Sequence, residues 1–543
     1  MKLILRYKYE ICVFLLFVIS RLPSLGNDCF NTDVWKWKTR SYDFGTGVFT
    51  LDFAKTSQKY HPGVTLMWLG TFGVKVFNLY YDLVYGSETI SLSPTQDYLV
   101  RIFGLHFVQK LFVVVVIGVT LVFLFKALEK IIDRKYAAIT IFLIAFEPFF
   151  LALSRVFHLE GLLSVFMVTS VVWFYIYLTG KSEKKALLIS GVFGGLSFLT
   201  KTSAVYLVPY VFLVSFIWLS KIKDNKNGRF VPEYVKTVFS WILISLSVVV
   251  ILWPALWVDF SNVVSNLYRG VSEIGIEQEH SQIYFGKRVE NPGLTYYLVV
   301  LLLRSSPYLL VGCFSMYFLI KNGRFEDKKD FVFYLFIFSL FYLMQHTIPS
   351  KKLDRYILPA IVGMVPIASF FFYDLVQNKS ISKNIKVAVL LFPLITAVYI
   401  HPDYFSYYNP FFGGIRTGIK VIEPKWMIGQ SEITKYFEEL IKERGITGDN
   451  ECPSFECVID SNKTKDVLSV GFPEKYYTQV HPFIRKIGGW AVIKDLTPFA
   501  KHTNFFVYPV WEDDSSLEDR FKLNYIGTIK VKGVDVYNVY ESN

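Results

Sequence analysis

One stretch of this chain combines residue types and spacing suited to proton abstraction from a hydroxyl. After the first hydrophobic run come Arg21-Leu-Pro, then Asp33, then Trp37-Lys-Thr-Arg40-Ser, then His61-Pro-Gly63-Val-Thr. A connection between two membrane helices does not need an acidic, aromatic and His-Pro-rich loop; this one reads as an active-site loop held at a membrane surface. A carboxylate about a dozen residues past a hydrophobic run is placed to accept a proton from a bound hydroxyl. The local alternative is that Asp33 caps a short helix over Val34–Tyr42. His61-Pro-Gly63 alone is a turn signal, to which the histidine adds a polar contact.

Further ionisable groups sit where they are costly. Arg155, His158 and Glu160 fall within six residues at a junction of two apolar runs, and charges near hydrocarbon are often functional. Arg155 and Glu160 could instead be a structural ion pair. Basic residues also collect in segments expected to face outward: Arg40, Arg155, Lys201, Arg269, Lys287, Arg288, Lys351, Lys352 and Arg355. Any one of these can be a solvated charge, but Lys351, Lys352 and Arg355 together suit a phosphate, whose oxygens take Lys and Arg donors. His280 stands beside Glu277 and Glu279, a trio with metal-binding types. The spacing fits no specific signature, and a solvated loop is the better reading there.

The elements that must hold these residues are membrane spans. Of 543 residues, 53% are hydrophobic, and the mean hydropathy is +0.38. Apolar runs long enough to cross the roughly 30 Å of hydrocarbon recur near 5–22, 98–125, 136–153, 157–180, 185–200, 203–220, 237–257, 294–320, 331–346, 356–374 and 385–401. The fold class expected is therefore a polytopic all-α membrane protein of about 11 transmembrane helices with a small extracytoplasmic C-terminal α/β domain. Residues 1–402 form the membrane domain, with outer loops at 24–97 and 258–292, and residues 403–543 form the C-terminal domain. Within the first loop, Leu69, Phe72, Val76, Tyr80 and Leu83 recur at helical spacing, as in an interfacial helix.

The net charge of +12 is not a nucleic-acid footprint. The Lys and Arg residues cluster in alternate short loops, around 2–8, 126–135, 181–185, 221–236, 321–329 and 379–386, which the positive-inside rule assigns to the cytoplasm. The N-terminus is then inside and the C-terminal domain outside, in an integral protein expected at the plasma membrane. The basic start followed by an apolar run could pass for a signal peptide, but no small-x-small site follows it, so it reads as a retained anchor. Five cysteines are too few for a disulfide scaffold, although Cys452 and Cys457 lie close enough together to pair. In the tail, a helical face runs from Ile433 to Ile441 between Ser431 as N-cap and Gly445 as stop. Strands are expected at 505–508 and across 525–540, the latter turning at Lys532-Gly533. Asn462-Lys-Thr464 is a glycosylation sequon.

Taken in order, these motifs resemble the polyprenyl-phosphate-sugar-dependent transferases of GT-C type: the protein O-mannosyltransferases (glycosyltransferase family 39) and the lipid A aminoarabinose transferase. The residues that carry the resemblance are Asp33-Val34, Trp37, Arg40-Ser41, His61-Pro62-Gly63, Arg155 with Glu160, Gly195–Lys201, Trp253-Pro-Ala-Leu-Trp257, His280, Asn291-Pro-Gly293, Lys351-Lys-x-Asp-Arg-Tyr356 and Tyr404-x-x-Tyr-Tyr-Asn-Pro410. Two positions depart from the family pattern: Val34 stands where a second acid is usual, and Glu160 where an Asp is usual. The resemblance implies transfer of a sugar from a polyprenyl phosphate to an acceptor hydroxyl on a protein, lipid or glycan, with inversion. Asp33 would be the general base. Lys351, Lys352, Arg355, Arg40 and Lys201 would bind the donor phosphate, and His61, Arg155, Glu160 and His280 would shape the substrate site. No cofactor is named by the sequence, and a divalent metal is left open. A flippase for lipid-linked sugars, or a non-catalytic partner subunit of a transferase, would share the spans and the basic residues.

Overall fold

Apolar side chains on every face force most of this chain into helix, because a backbone in hydrocarbon must satisfy its own hydrogen bonds. The computed structural model describes residues 6–86, 92–180, 184–222, 230–277, 281–449, 451–495, 497–512 and 523–542. Each of the eleven expected runs contains helix, but the count of spans differs from expectation. Among the described residues, seven helices are long and apolar enough to cross a membrane: Pro94–Ile131, Leu159–Leu178, Thr202–Lys221, Val231–Leu252, Glu326–Thr347, Asp354–Gln377 and Lys383–Ile400. An eighth would be the pair Tyr296–Arg304 and Pro307–Lys321, which bends by 109° at Ser305-Ser306. The remaining runs fall short for physical reasons. Lys8–Ile19 has 12 residues, Lys184–Thr200 has 17, and Arg134–Phe146 is broken from Pro148–Leu153 at Glu147, whose carboxylate takes the backbone N–H of Ser306 at 2.9 Å.

The segment 24–97 is largely helical, with long helices at Val34–Phe49 and Val64–Tyr85 rather than one short interfacial segment. The second of these buries Leu66, Met67 and Gly70 while exposing Phe72, Val76, Leu79 and Leu83, an apolar face suited to lipid. Residues 258–292 carry a helix at Phe260–Arg269 and a hairpin of β1 (Gln282–Tyr284) and β2 (Lys287–Val289).

The tail builds a five-stranded mixed sheet from β3 (Ser469–Phe472), β4 (Trp490–Ile493), β5 (Phe505–Pro509), β6 (Leu523–Val531) and β7 (Val534–Ser542), in the order β4-β3-β5-β7-β6. Strand β3 pairs in parallel with β4 and β5, while β7 is antiparallel to β5 and β6. The β6–β7 turn falls at Lys532-Gly533, both with positive φ, as a tight hairpin requires. The helix Gln430–Arg444 stops at Gly445 in left-handed geometry, but its N-cap is Gly429 rather than Ser431. Cys452 and Cys457 form a disulfide.

Buried charges fasten the acid-bearing loop to the helices. Asp28, fully enclosed, pairs with Lys110 from Pro94–Ile131 and accepts from Arg155 Nε at 2.7 Å. Arg155 also donates through Nη2 to the Pro23 carbonyl at 2.5 Å. Further along, Gly63 donates its N–H to the Thr200 carbonyl at 3.2 Å, and the Thr65 and Thr200 hydroxyls meet at 2.8 Å. Gly63 has φ +59°, and a Cβ there would lie 2.2 Å from the Trp37 ring.

Two stability predictions follow from these anchors. Arg155→Ala leaves Asp28 short of a buried cation and should cost about 3–5 kcal/mol, the usual effect of removing one partner of a buried pair; a thermal unfolding midpoint unchanged in detergent would contradict this. Gly63→Ala should cost on the order of 1–3 kcal/mol through left-handed strain, with added displacement of Trp37. Intrinsic tryptophan fluorescence alongside the melt checks both effects.

Candidate functional site

Where these elements converge, a cavity of about 790 Å³ opens between the first loop, the helix ends at 158–160 and 200–201, the 351–356 segment and the C-terminal region. The N-termini of Val34–Phe49 and Leu159–Leu178 border it, and the positive end of a helix dipole favours anions. Of the residues expected from the sequence, Asp33, Arg40, His61, Glu160, Lys201, Lys351 and Arg355 line this cavity.

Asp33 occupies the N-cap position of Val34–Phe49, but its side chain caps no backbone N–H. It turns to charged partners instead. His158 Nε2 lies 3.4 Å from Asp33 Oδ2, Arg355 Nη2 lies 3.3 Å from the same oxygen, and Lys36 Nζ lies 3.7 Å from Oδ1. Glu160 is gripped by two of the same groups: His158 Nδ1 contacts Oε2, and Arg355 Nε lies 3.6 Å from Oε1. The result is a closed ring of alternating charge, Asp33–His158–Glu160–Arg355. Lys201 adds a further cation 3.0 Å from Glu160 Oε1, with its ammonium 3.8 Å from the centre of the Tyr356 ring.

The ring sets the protonation states around it. Burial alone would raise the Asp33 carboxyl, but the hydrogen bond from His158 and the charges of Arg355, His158 and Lys36 outweigh it and hold Asp33 well below the usual carboxylate range. Burial would lower the His158 imidazole, yet the Glu160 charge and the contacts with Asp33 and Glu160 hold it above its ordinary value. His61 has the opposite fate: burial, then the charges of Lys201 and Arg40, push it down to about 3, so it stays neutral. Arg40 stacks on Trp37 with its guanidinium 4.8 Å from the ring centre.

Three expected site residues do not enter this cavity as described. Arg155 turns away to Asp28 and Pro23, so it is not the ion-pair partner of Glu160. Lys352, unlike its neighbour Lys351, is buried, and its ammonium donates to Asn291 Oδ1 at 3.2 Å and to the Pro349 carbonyl at 2.6 Å, tying two loops together. His280 lies outside the described residues, as does Glu279. Among the described residues, no three His, Cys, Asp or Glu side chains gather as a metal-ligand set.

Several contributors were not legible as site residues. His158 was visible only as one of three clustered ionisable groups. Lys36, Lys59, Lys425, Lys475 and Lys494 line the cavity without belonging to a recognisable motif. Arg304, buried in the bent helix pair, holds Asp354 with Nη2 2.9 Å from Oδ2, and donates through Nη1 to the carbonyls of Phe405 and Tyr407. The Tyr404–Pro410 motif therefore supports the backbone beside Arg355. The Trp253-Pro-Ala motif is also structural: Trp253 Nε1 and the Ala255 N–H both bond to Thr56.

Residues 95–253 match the protein family described as dolichyl-phosphate-mannose-protein mannosyltransferase. No curated protein sequence matches the chain. Among solved structures, the chain is similar to ArnT from Cupriavidus metallidurans bound to undecaprenyl phosphate, at 12% identity over 99% of this chain and 97% of that one, with a TM-score of 0.48. It is also similar to the archaeal oligosaccharyltransferase AglB from Archaeoglobus fulgidus, in complex with an inhibitory peptide and a dolichol-phosphate, at 12% identity over 99% and 75% of the two chains and a TM-score of 0.45. The S. cerevisiae protein O-mannosyltransferase Pmt1–Pmt2 complex bound to the sugar donor aligns over 51% of this chain and 38% of that one, at 16% identity and a TM-score of 0.32. Over residues 95–253 the match agrees with the resemblance carried by the ordered motifs, and the long apolar helices mark an integral membrane protein.

Proposed function

We propose that this protein transfers a sugar, mannose or a similar hexose or pentose, from a polyprenyl phosphate to an acceptor hydroxyl at the outer face of the membrane, with inversion at the anomeric carbon. The observation that carries this reading is a carboxylate kept ionised at the wall of a cavity crowded with cations. Asp33 accepts the proton as the acceptor oxygen bonds to the anomeric carbon. The bond from that carbon to the phosphate oxygen breaks, and the polyprenyl phosphate departs with the electron pair. Charge grows on that oxygen, so fixed cations nearby stabilise the transition state more than the ground state. Lys351, Arg355, Lys201 and Arg40 are the groups assigned to it. His61, neutral and half-buried, suits the sugar rather than the phosphate.

Arg355 serves two partners in this scheme. A bound phosphate draws the guanidinium toward itself and away from Asp33, and brings a negative charge close to the carboxylate. Both effects raise the basicity of Asp33, so the base strengthens once the donor is in place. The basic loops at the other helix ends support a cytoplasmic N-terminus and an external site. Glu423, Lys425, Lys475 and Glu512 give the cavity a mixed-charge wall on the C-terminal side, which supports an acceptor-binding role for that region.

The test uses purified protein in lipid with a panel of radiolabelled polyprenyl-phosphate sugars and an acceptor mixture from host membranes. The wild type should consume one donor, and Asp33→Asn should slow that consumption by about 10²–10⁴-fold, the usual contribution of a general base. Equal consumption by both would remove Asp33 from the base role. If no donor is consumed by either, a flippase or a non-catalytic partner subunit is the better account.

A further inference from the structure

The usual second acid of the first loop is missing here, since Val34 follows Asp33 and is fully buried. Something else must fix the orientation and charge of a lone carboxylate. His158 lies at the head of the helix Leu159–Leu178, nearly enclosed, with one ring nitrogen toward each carboxylate of the site. An imidazole has two donors only when it carries both protons; in either neutral form one nitrogen offers a lone pair instead. A lone pair facing a carboxylate oxygen is repulsive, so this geometry suits the imidazolium alone. The groups that face the ring are Asp33 from the first loop, Glu160 from its own helix, Arg355 from the 354–357 turn and the indole of Trp426, whose ring centre lies 5.1 Å away. Lys201 reaches the cluster through Glu160, and Lys36 through Asp33.

We infer that His158 is a positioning residue that works as a charged clasp: its imidazolium ties Asp33 to Glu160 across the chain and holds the base aimed into the cavity. This rests on the transferase reading for its catalytic consequence, but not for its physical one. The folded site favours the protonated ring, so the raised value of His158 contributes stability in full below the ordinary imidazole range. That contribution is lost as pH rises through the folded value. Above that point the clasp opens, Asp33 faces a lone pair, and transfer slows.

The experiment compares wild type with His158→Gln, which keeps a hydrogen-bonding side chain but cannot be charged. Donor consumption measured from acid to alkaline pH should fall on the alkaline side in wild type. In His158→Gln it should be about tenfold lower, because the carboxylate is no longer held in line, and lack that alkaline limb, with the donor KM unchanged. The limb persisting in the variant would overturn the inference, as would an equal loss at every pH. A second readout needs no activity: in protein labelled at the histidine ring carbons, one resonance should titrate above the ordinary imidazole range and move downward in Asp33→Asn. If no histidine titrates there, the clasp is wrong, even in a protein that folds and turns over. If the wild type consumes no donor while that resonance is present, the transferase reading fails and the clasp stands.

Discussion

Charge in a low-dielectric setting must find its opposite, and this requirement organises the end of the molecule that bears the site. Transfer of an unpaired ion out of water costs several kcal/mol even after relaxation. The chain nevertheless buries Asp28, Lys110, Arg155, Glu160, His158, Lys201 and Arg304 there. They are tolerable because they are arranged as two adjoining networks. The inner one, Asp28 with Lys110 and Arg155, touches no large cavity and fastens the first loop to the helices. The outer one, Asp33 with His158, Glu160, Arg355 and Lys201, borders the cavity. The first holds the backbone from which Asp33 projects, and the second sets the charge that Asp33 presents. Arg304 serves the outer network in the same way from the other side, fixing Asp354 next to Arg355.

Much of this was written in local pattern. Apolar runs announced the helices, a short strand-like stretch with a Lys-Gly turn announced the β6–β7 hairpin, and His61-Pro-Gly63 announced a turn whose glycine is needed for both its φ and its contact with Trp37. The ordered motifs brought Asp33, Glu160, Lys351 and Arg355 together before any geometry was known. Pairings across long separations were not readable. Nothing around Lys110 says that it meets Asp28, 82 positions away, because it sits inside an apolar run and looks like a charge to be tolerated. Lys351 and Lys352 are chemically alike and adjacent, and only the turn between 349 and 354 decides that one lines the cavity and the other cross-links two loops. The break at Ser305-Ser306 had a local signal, Arg304-Ser-Ser-Pro307 inside the run 294–320, but its partner did not: Glu147 arrives from elsewhere to take the freed N–H.

The departures from the family pattern gain meaning from the same networks. A second carboxylate directly after Asp33 would have stood at Val34, which is packed in the core of the loop. In this chain the second carboxylate of the cluster is Glu160, and the longer side chain of Glu relative to Asp gives it reach toward His158, Lys201 and Arg355 together. Asp33 and Glu160 thus belong to one cluster of charge, joined through His158 and Arg355.

The indole of Trp35 donates to the Thr478 carbonyl at 2.9 Å, and Arg485 on the same helix donates to Thr95 at 2.6 Å. Trp35 is two residues from Asp33, and Thr478 lies on the helix Glu474–Lys486 that packs under the C-terminal sheet. The two bonds act as a hinge pin between the sheet and the acid-bearing loop. Any displacement of the sheet relative to the loop must pull on the backbone beside Asp33 or break that pin, so the position of the sheet and the aim of the carboxylate are mechanically coupled.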